Sequence, residues 1–97
     1  MILVSRVSYP PQSTKAVVEV FAKFPPLPDF LTVKIYTRSV ERDGFQAMGI
    51  YEFDKSKMAE AYEHISERLM NYRDVPGCTF SIEPWLEAEE GMKLAGF

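Results

Sequence analysis

A single cysteine, Cys78, and a single histidine, His64, occur in the whole chain. One thiol cannot close an internal disulfide, and neither residue has the companions that a zinc or iron site spaces around it. Disulfide scaffolds and zinc patterns are therefore excluded, and a reducing compartment is the simpler expectation. No phosphate-cradling glycine loop and no nucleophile elbow is present. Apolar runs are short: none reaches the length of a membrane span, and the start Met1 to Val4 lacks both the length and the basic flank of a signal peptide. Positive charge is in deficit as well. Eleven Lys and Arg against 14 Asp and Glu leave a formal charge of −3, without the basic footprint that phosphate binding leaves. These absences give the expectation of a cytoplasmic protein with no metal, no cofactor, no nucleic-acid partner and no membrane partner.

What is present is enough apolar material for one core. A hydrophobic fraction of 46% beside 26% charged residues is that of a globular chain, and 97 residues make one domain. The hydrophobic period switches between two and 3.6 along the chain. Ile2 to Tyr9 alternates as a strand, and Pro10-Pro11 stops it because proline cannot donate to a ladder. Gln12 to Phe24 then carries Val17, Val20, Phe21 and Phe24 at helical spacing. Pro25-Pro26-Leu27-Pro28 ends that helix and reads as a stiff connector in preference to a partner-binding proline motif.

Phe30 to Val40 and Phe45 to Phe53 alternate on either side of Asp43-Gly44, which predicts a hairpin with a positive φ at Gly44. A connection of even length puts odd positions of its first strand with even positions of its second. Leu31, Val33, Ile35 and Thr37 are then expected beside Met48 and Ile50. Thr32, Lys34, Tyr36 and Arg38 are expected beside Ala47, Gly49, Tyr51 and Phe53; a one-residue bulge would reverse this. Asp54 or Ser56 can cap a second helix with its stripe on Met58, Tyr62, Ile65, Leu69 and Tyr72. Pro76-Gly77 precedes a last strand, Cys78 to Trp85, in which Cys78, Phe80 and Ile82 share one face. Pro84 marks that strand as an edge.

The element order predicts an α+β fold, a ferredoxin-like βαββαβ chain with a four-stranded antiparallel sheet and two helices on one face. Residues 1–86 form that domain, and 87–97 a short C-terminal helix or tail. Element order and length, the strand start Gly44-Phe45-Gln46-Ala47-Met48 and the segment Phe80-Ser81-Ile82-Glu83-Pro84 resemble the dimeric α/β-barrel superfamily, in detail its small uncharacterised prokaryotic members. The resemblance implies a homodimer joined through the open sheet faces. It also implies a range of roles that includes cofactor-free monooxygenases, isomerases, haem-degrading enzymes and ligand sensors. The haem-degrading branch uses an asparagine on the first strand, a central tryptophan and a histidine on the second helix. Here only His64 is comparable, which argues against that activity.

Candidate chemistry is sparse. His64 falls on the flank of its helix beside Glu60 and Arg68, as a surface residue does. Cys78 faces the same way as Phe80 and Ile82, as a buried inert thiol does. Glu87, Glu89 and Glu90 lack histidines and ligand spacing, so they read as a solvated acidic face. The better lead is the open sheet face, where Tyr36, Tyr51, Phe53 and Trp85 are expected to surround Ala47 and Gly49. Burial in a dimer is the leading explanation. A pocket for a small apolar or aromatic molecule is the second, with Tyr36, Arg38, Tyr51, Glu83 and Trp85 as binding residues. An RNA-stacking surface is the third and weakest, because Asp43 stands before Gly44 where the RNA-recognition signature is basic. The expected function is a structural or small-molecule-binding module; the alternative is a cofactor-independent monooxygenase or isomerase acting on a small aromatic substrate.

Overall fold

The computed structural model describes all residues, Met1–Phe97. The chain runs β1 (Ile2–Tyr9), α1 (Thr14–Ala22), β2 (Thr32–Ser39), β3 (Phe45–Glu52), α2 (Met58–Met70), β4 (Thr79–Trp85) and α3 (Ala88–Leu94). The four strands form one antiparallel sheet in the order β2-β3-β1-β4, with β1 and β3 central and the Pro84-bearing β4 at an edge. This α+β arrangement is compatible with a ferredoxin-like fold.

Prolines and glycines set the boundaries. Pro11 opens a 3-10 turn, Pro11–Ser13, so α1 starts at Thr14 and not at the expected Gln12. The buried Ser13 donates its hydroxyl to the Pro76 carbonyl and ties the start of α1 to the loop before β4. A second 3-10 turn, Lys55–Lys57, leads into α2, and Asp54 caps this turn by accepting from the Ser56 N–H at 2.9 Å. The hydrogen bonds from Ser56 hold the Asp54 carboxyl below its ordinary value.

The hairpin departs from expectation. Ser39 pairs with Phe45, so five residues, Val40–Gly44, separate the strands, closed by a 2.8 Å bond from the Val40 N–H to the Gly44 carbonyl. The odd count reverses the predicted parity, because each residue added to a connection turns every following side chain to the other face. Val33 therefore pairs with Tyr51, Ile35 with Gly49 and Thr37 with Ala47, while Tyr36 pairs with Met48 and Lys34 with Ile50. Gly44 does take a positive φ, 111°, and a Cβ there would stand 2.1 Å from the Tyr9 carbonyl oxygen. Only glycine lets the end of the hairpin lie on the Tyr9-Pro10 backbone.

One side of the sheet carries the core. Leu3, Val7 and Tyr51 cluster there with Val17 of α1 and with Ala61, Ile65 and Leu69 of α2; Tyr72 and Val75 close the end. Cys78, Phe80 and Ile82 pack against the same cluster, on the shared face the alternation predicts. In α2 the inward position is the small Ala61, with no exposed surface, and not the expected Tyr62, which is 44% exposed. A tyrosine one position along the helix is turned about 100° away from its neighbour. In α1, Val17 is buried but Phe21 remains 49% exposed beside Ile35 of β2, itself 45% exposed, so this margin of the core is open. No helix is long and apolar enough to cross a membrane.

Candidate functional site on the open sheet face

Opposite the core, the sheet presents a lattice of side chains whose neighbours follow from the pairing. Across β4-β1-β3-β2 the rows read Trp85, Ile2, Glu52, Thr32; then Glu83, Val4, Ile50, Lys34; then Ser81, Arg6, Met48, Tyr36; then Thr79, Ser8, Gln46, Arg38. Apolar residues occupy the middle, with Val4 buried between Ile50 and Glu83. Charged and polar residues occupy most of the margin and the last row, and Arg6 stands among the apolar residues beside Met48.

The last two rows form a groove of about 370 Å³ lined by Arg6, Ser8, Tyr36, Arg38, Gln46 and Met48, with Ala47 between the last two also bordering it. Met48 is flanked by Arg6 and Tyr36, and Gln46 by Ser8 and Arg38. Both arginines are oriented through the same atom. Arg6 Nε donates to Glu83 Oε1 at 2.8 Å, and Arg38 Nε donates to Gln46 Oε1 at 2.7 Å. In each case the bond engages Nε and leaves the two outer amino groups of the guanidinium, a planar pair of donors, without a protein partner.

Of the residues expected to bind a ligand, Tyr36 and Arg38 line this groove, and Glu83 supports it through Arg6. Trp85 shares the face, 50% exposed, but pairs with Ile2 at the far corner of the sheet. Tyr51 does not belong to the group. The five-residue connection turns it, together with Ala47, Gly49 and Phe53, to the helix side, where it is buried and accepts a 3.3 Å hydrogen bond from the Ser5 hydroxyl. The hollow expected around Ala47 and Gly49 is thus on the other side, and largely filled. A Cβ on Gly49 would stand 2.9 Å from the Tyr51 ring, and what remains between Phe21, Phe24, Ile35, Leu69 and Tyr72 is about 60 Å³. Arg6, Ser8, Gln46 and Met48 were legible only as alternate positions of strands; no motif marks them.

The other candidates lie apart. Burial pushes the Cys78 thiol up, which disfavours the thiolate a nucleophile needs. Exposed His64 stands edge-on to Phe30, ring centroids 6.2 Å apart, beside the proline connector, which Arg68 holds by donating to the Pro25 carbonyl at 2.6 Å. No three His, Cys, Asp or Glu side chains are grouped so as to hold a metal ion. Glu90 is engaged otherwise: it accepts from the Met1 amine at 3.0 Å and from Lys55 Nζ at 3.2 Å, which fastens α3 beside the start of β1.

No protein-family model matches the chain, and no curated protein matches it. Among solved structures, it is similar to a DUF3240 family protein from Shewanella baltica, with 11% identity, a TM-score of 0.36, and coverage of 89% of this chain and 91% of that one. A likeness of that extent bears on neither fold family nor function.

Proposed function

We propose that this chain is a small-molecule-binding module of the ferredoxin-like, dimeric α/β-barrel kind, in which two copies set their open sheet faces together. The observation that carries this reading is the distribution of side chains on the uncovered face. Ile2, Val4, Met48 and Ile50 make an apolar centre, Tyr36 and Trp85 extend it to either edge, and Lys34, Glu52, Glu83 and the Ser8 row make a polar rim. An apolar centre inside a polar rim is the anatomy of a protein interface, with aromatic residues as its anchors. The groove of Arg6, Tyr36 and Arg38 lies off-centre and becomes a chamber when a second sheet covers it.

Binding is preferred over catalysis because the groove lining holds no carboxylate or histidine to serve as a base, and Glu83, which pairs with Arg6, is already engaged by it. Burying about 400 Å² of apolar area on each partner gives on the order of 20 kcal/mol gross at ~25 cal/mol per Å². Association entropy and side-chain ordering offset much of that, which leaves room for a micromolar dimer. Sedimentation across a concentration series tests the reading. Ile50→Glu places a carboxylate in the apolar centre and is expected to give a monomer, whereas His64→Ala on the helix side leaves the dimer intact. A native chain that stays monomeric at tens of micromolar would exclude the interface.

A further inference from the structure

We propose that the groove at the Ser8 and Arg38 end of the open face binds a small carboxylic acid with a flat apolar body. This names the ligand class for the binding role above and rests on that reading only for the chamber's second wall, since every residue invoked belongs to one chain. Charge selects the sign of the ligand. In a chain of net charge −3, the groove is lined by two arginines and by no carboxylate. Glu83 stands outside the lining and neutralises Arg6 in part, and Arg38 has only the neutral Gln46 as its partner. Arg38 is therefore the principal anchor, and Arg6 the second.

Geometry selects the anion. A guanidinium fixed through Nε offers its outer amino groups as a planar fork, which matches the two oxygens of a carboxylate. The Ser8 hydroxyl, flanking Gln46 in the same row, is placed to donate a further bond. The remaining lining selects the body. Met48 lies between Arg6 and Tyr36, so an apolar thioether floors the groove and a phenol ring walls it. A polarisable sulfur and an aromatic edge favour a flat, unsaturated skeleton over a branched sugar or a bare inorganic ion. The volume, about 370 Å³, lies at the small end of ligand sites and suits a single ring with its acid group.

Benzoate serves as the probe, titrated into isotope-labelled native chain with benzamide, its neutral isostere, and inorganic phosphate in parallel. The expected result is saturable shifts of the Arg38 Nε–H and Met48 methyl signals with benzoate, at least tenfold weaker with benzamide and with phosphate. Arg38→Gln, an exposed change that leaves the core untouched, is expected to weaken benzoate at least tenfold, and Arg6→Gln less. Equal binding of benzoate and benzamide, phosphate binding as tight as benzoate, shifts spread away from the groove, or no saturation at all would each overturn the proposal. Sedimentation of the same samples separates the two readings. A monomer that binds benzoate at Arg38 ends the dimer and keeps this site, whereas a dimer that ignores benzoate ends this site and keeps the dimer.

Discussion

The Tyr51 hydroxyl accepts a hydrogen bond from Ser5 at 3.3 Å, and this contact holds the tyrosine ring across Gly49 on the helix side of the sheet. Two polar atoms are thereby satisfied inside the core, and the gap left by a residue without a side chain is filled by its neighbour two positions on. The fit leaves no room for a methyl group.

Gly49→Ala follows directly. The new Cβ would meet Ser5 Oγ at 2.7 Å and the Tyr51 ring at 2.9 Å, so either the hydrogen bond or the ring position must yield. Overpacking of this kind costs about 1–3 kcal/mol, read as a lower urea midpoint with unchanged slope. Gly91→Ala is the counterpart. Nothing lies within 4 Å of a Cβ there, in the middle of α3, so the change favours the helix by about 1 kcal/mol and slows amide exchange in that segment. Equal effects at the two glycines would contradict the packing described.

A third glycine shows what could be read in advance. Gly44 was legible, since Asp-Gly between two alternating runs demands a turn, and its positive φ is observed. The number of residues in that turn was not legible. Alternation in Phe45 to Glu52 is weak: Gln46, Met48 and Ile50 on one face are scarcely more polar than Phe45, Ala47 and Gly49 on the other. When neither face is clearly apolar, periodicity cannot choose the register, and the five-residue connection decides it. An even-length connection therefore puts Tyr51 and Phe53 on the wrong face, whereas Tyr36 and Arg38 lie on the open face that the alternation of β2 itself predicts. In α2 the stripe at Ile65, Leu69 and Tyr72 was plain, but Ala61 was hidden, because a small residue carries little hydropathy signal beside a tyrosine. The groove itself needed three strands in register before Arg6 and Ser8 met Gln46 and Met48, and no local pattern carries such information.

Tyr72 makes the alkaline limit of the fold predictable. Burial beside Phe24, whose ring stands edge-on at 5.6 Å, pushes its phenol up to about 12 from an ordinary 10.0. The folded chain then retains a proton that the unfolded chain releases, so stability is fully present below pH about 10 and declines as pH rises towards about 12. Tyr72→Phe removes that proton linkage. Unfolding by urea at several alkaline pH values is expected to show a shallower loss for the variant across this window. A native phenol that titrates at its ordinary value by near-ultraviolet absorbance would show that the ring is not buried.

Glu90 sets the matching prediction in acid. Its carboxylate accepts first from the Met1 amine, then from Lys55, and also from the Glu87 N–H, and these bonds bring its pKa down to about 2 from an ordinary 4.5. A depressed carboxylate stabilises the state that holds it above its free value, and that contribution is lost as pH falls through the folded value. The attachment of α3 is therefore complete above pH about 4.5 and is released as pH falls towards about 2, before or alongside the unfolding of the rest. Because these groups lie near the surface, added salt should loosen the attachment at any pH within the window. Glu90→Gln keeps the shape of the side chain but loses the charge that draws both cations, so α3 should already be loosely held at neutral pH and show no acid transition of its own. Carboxyl chemical shifts, followed together with amide exchange in 88–94, separate the cases. A Glu90 midpoint near 4.5, or an α3 that protects its amides equally well in native chain and Glu90→Gln at neutral pH, would mean that this carboxylate does not fasten the helix.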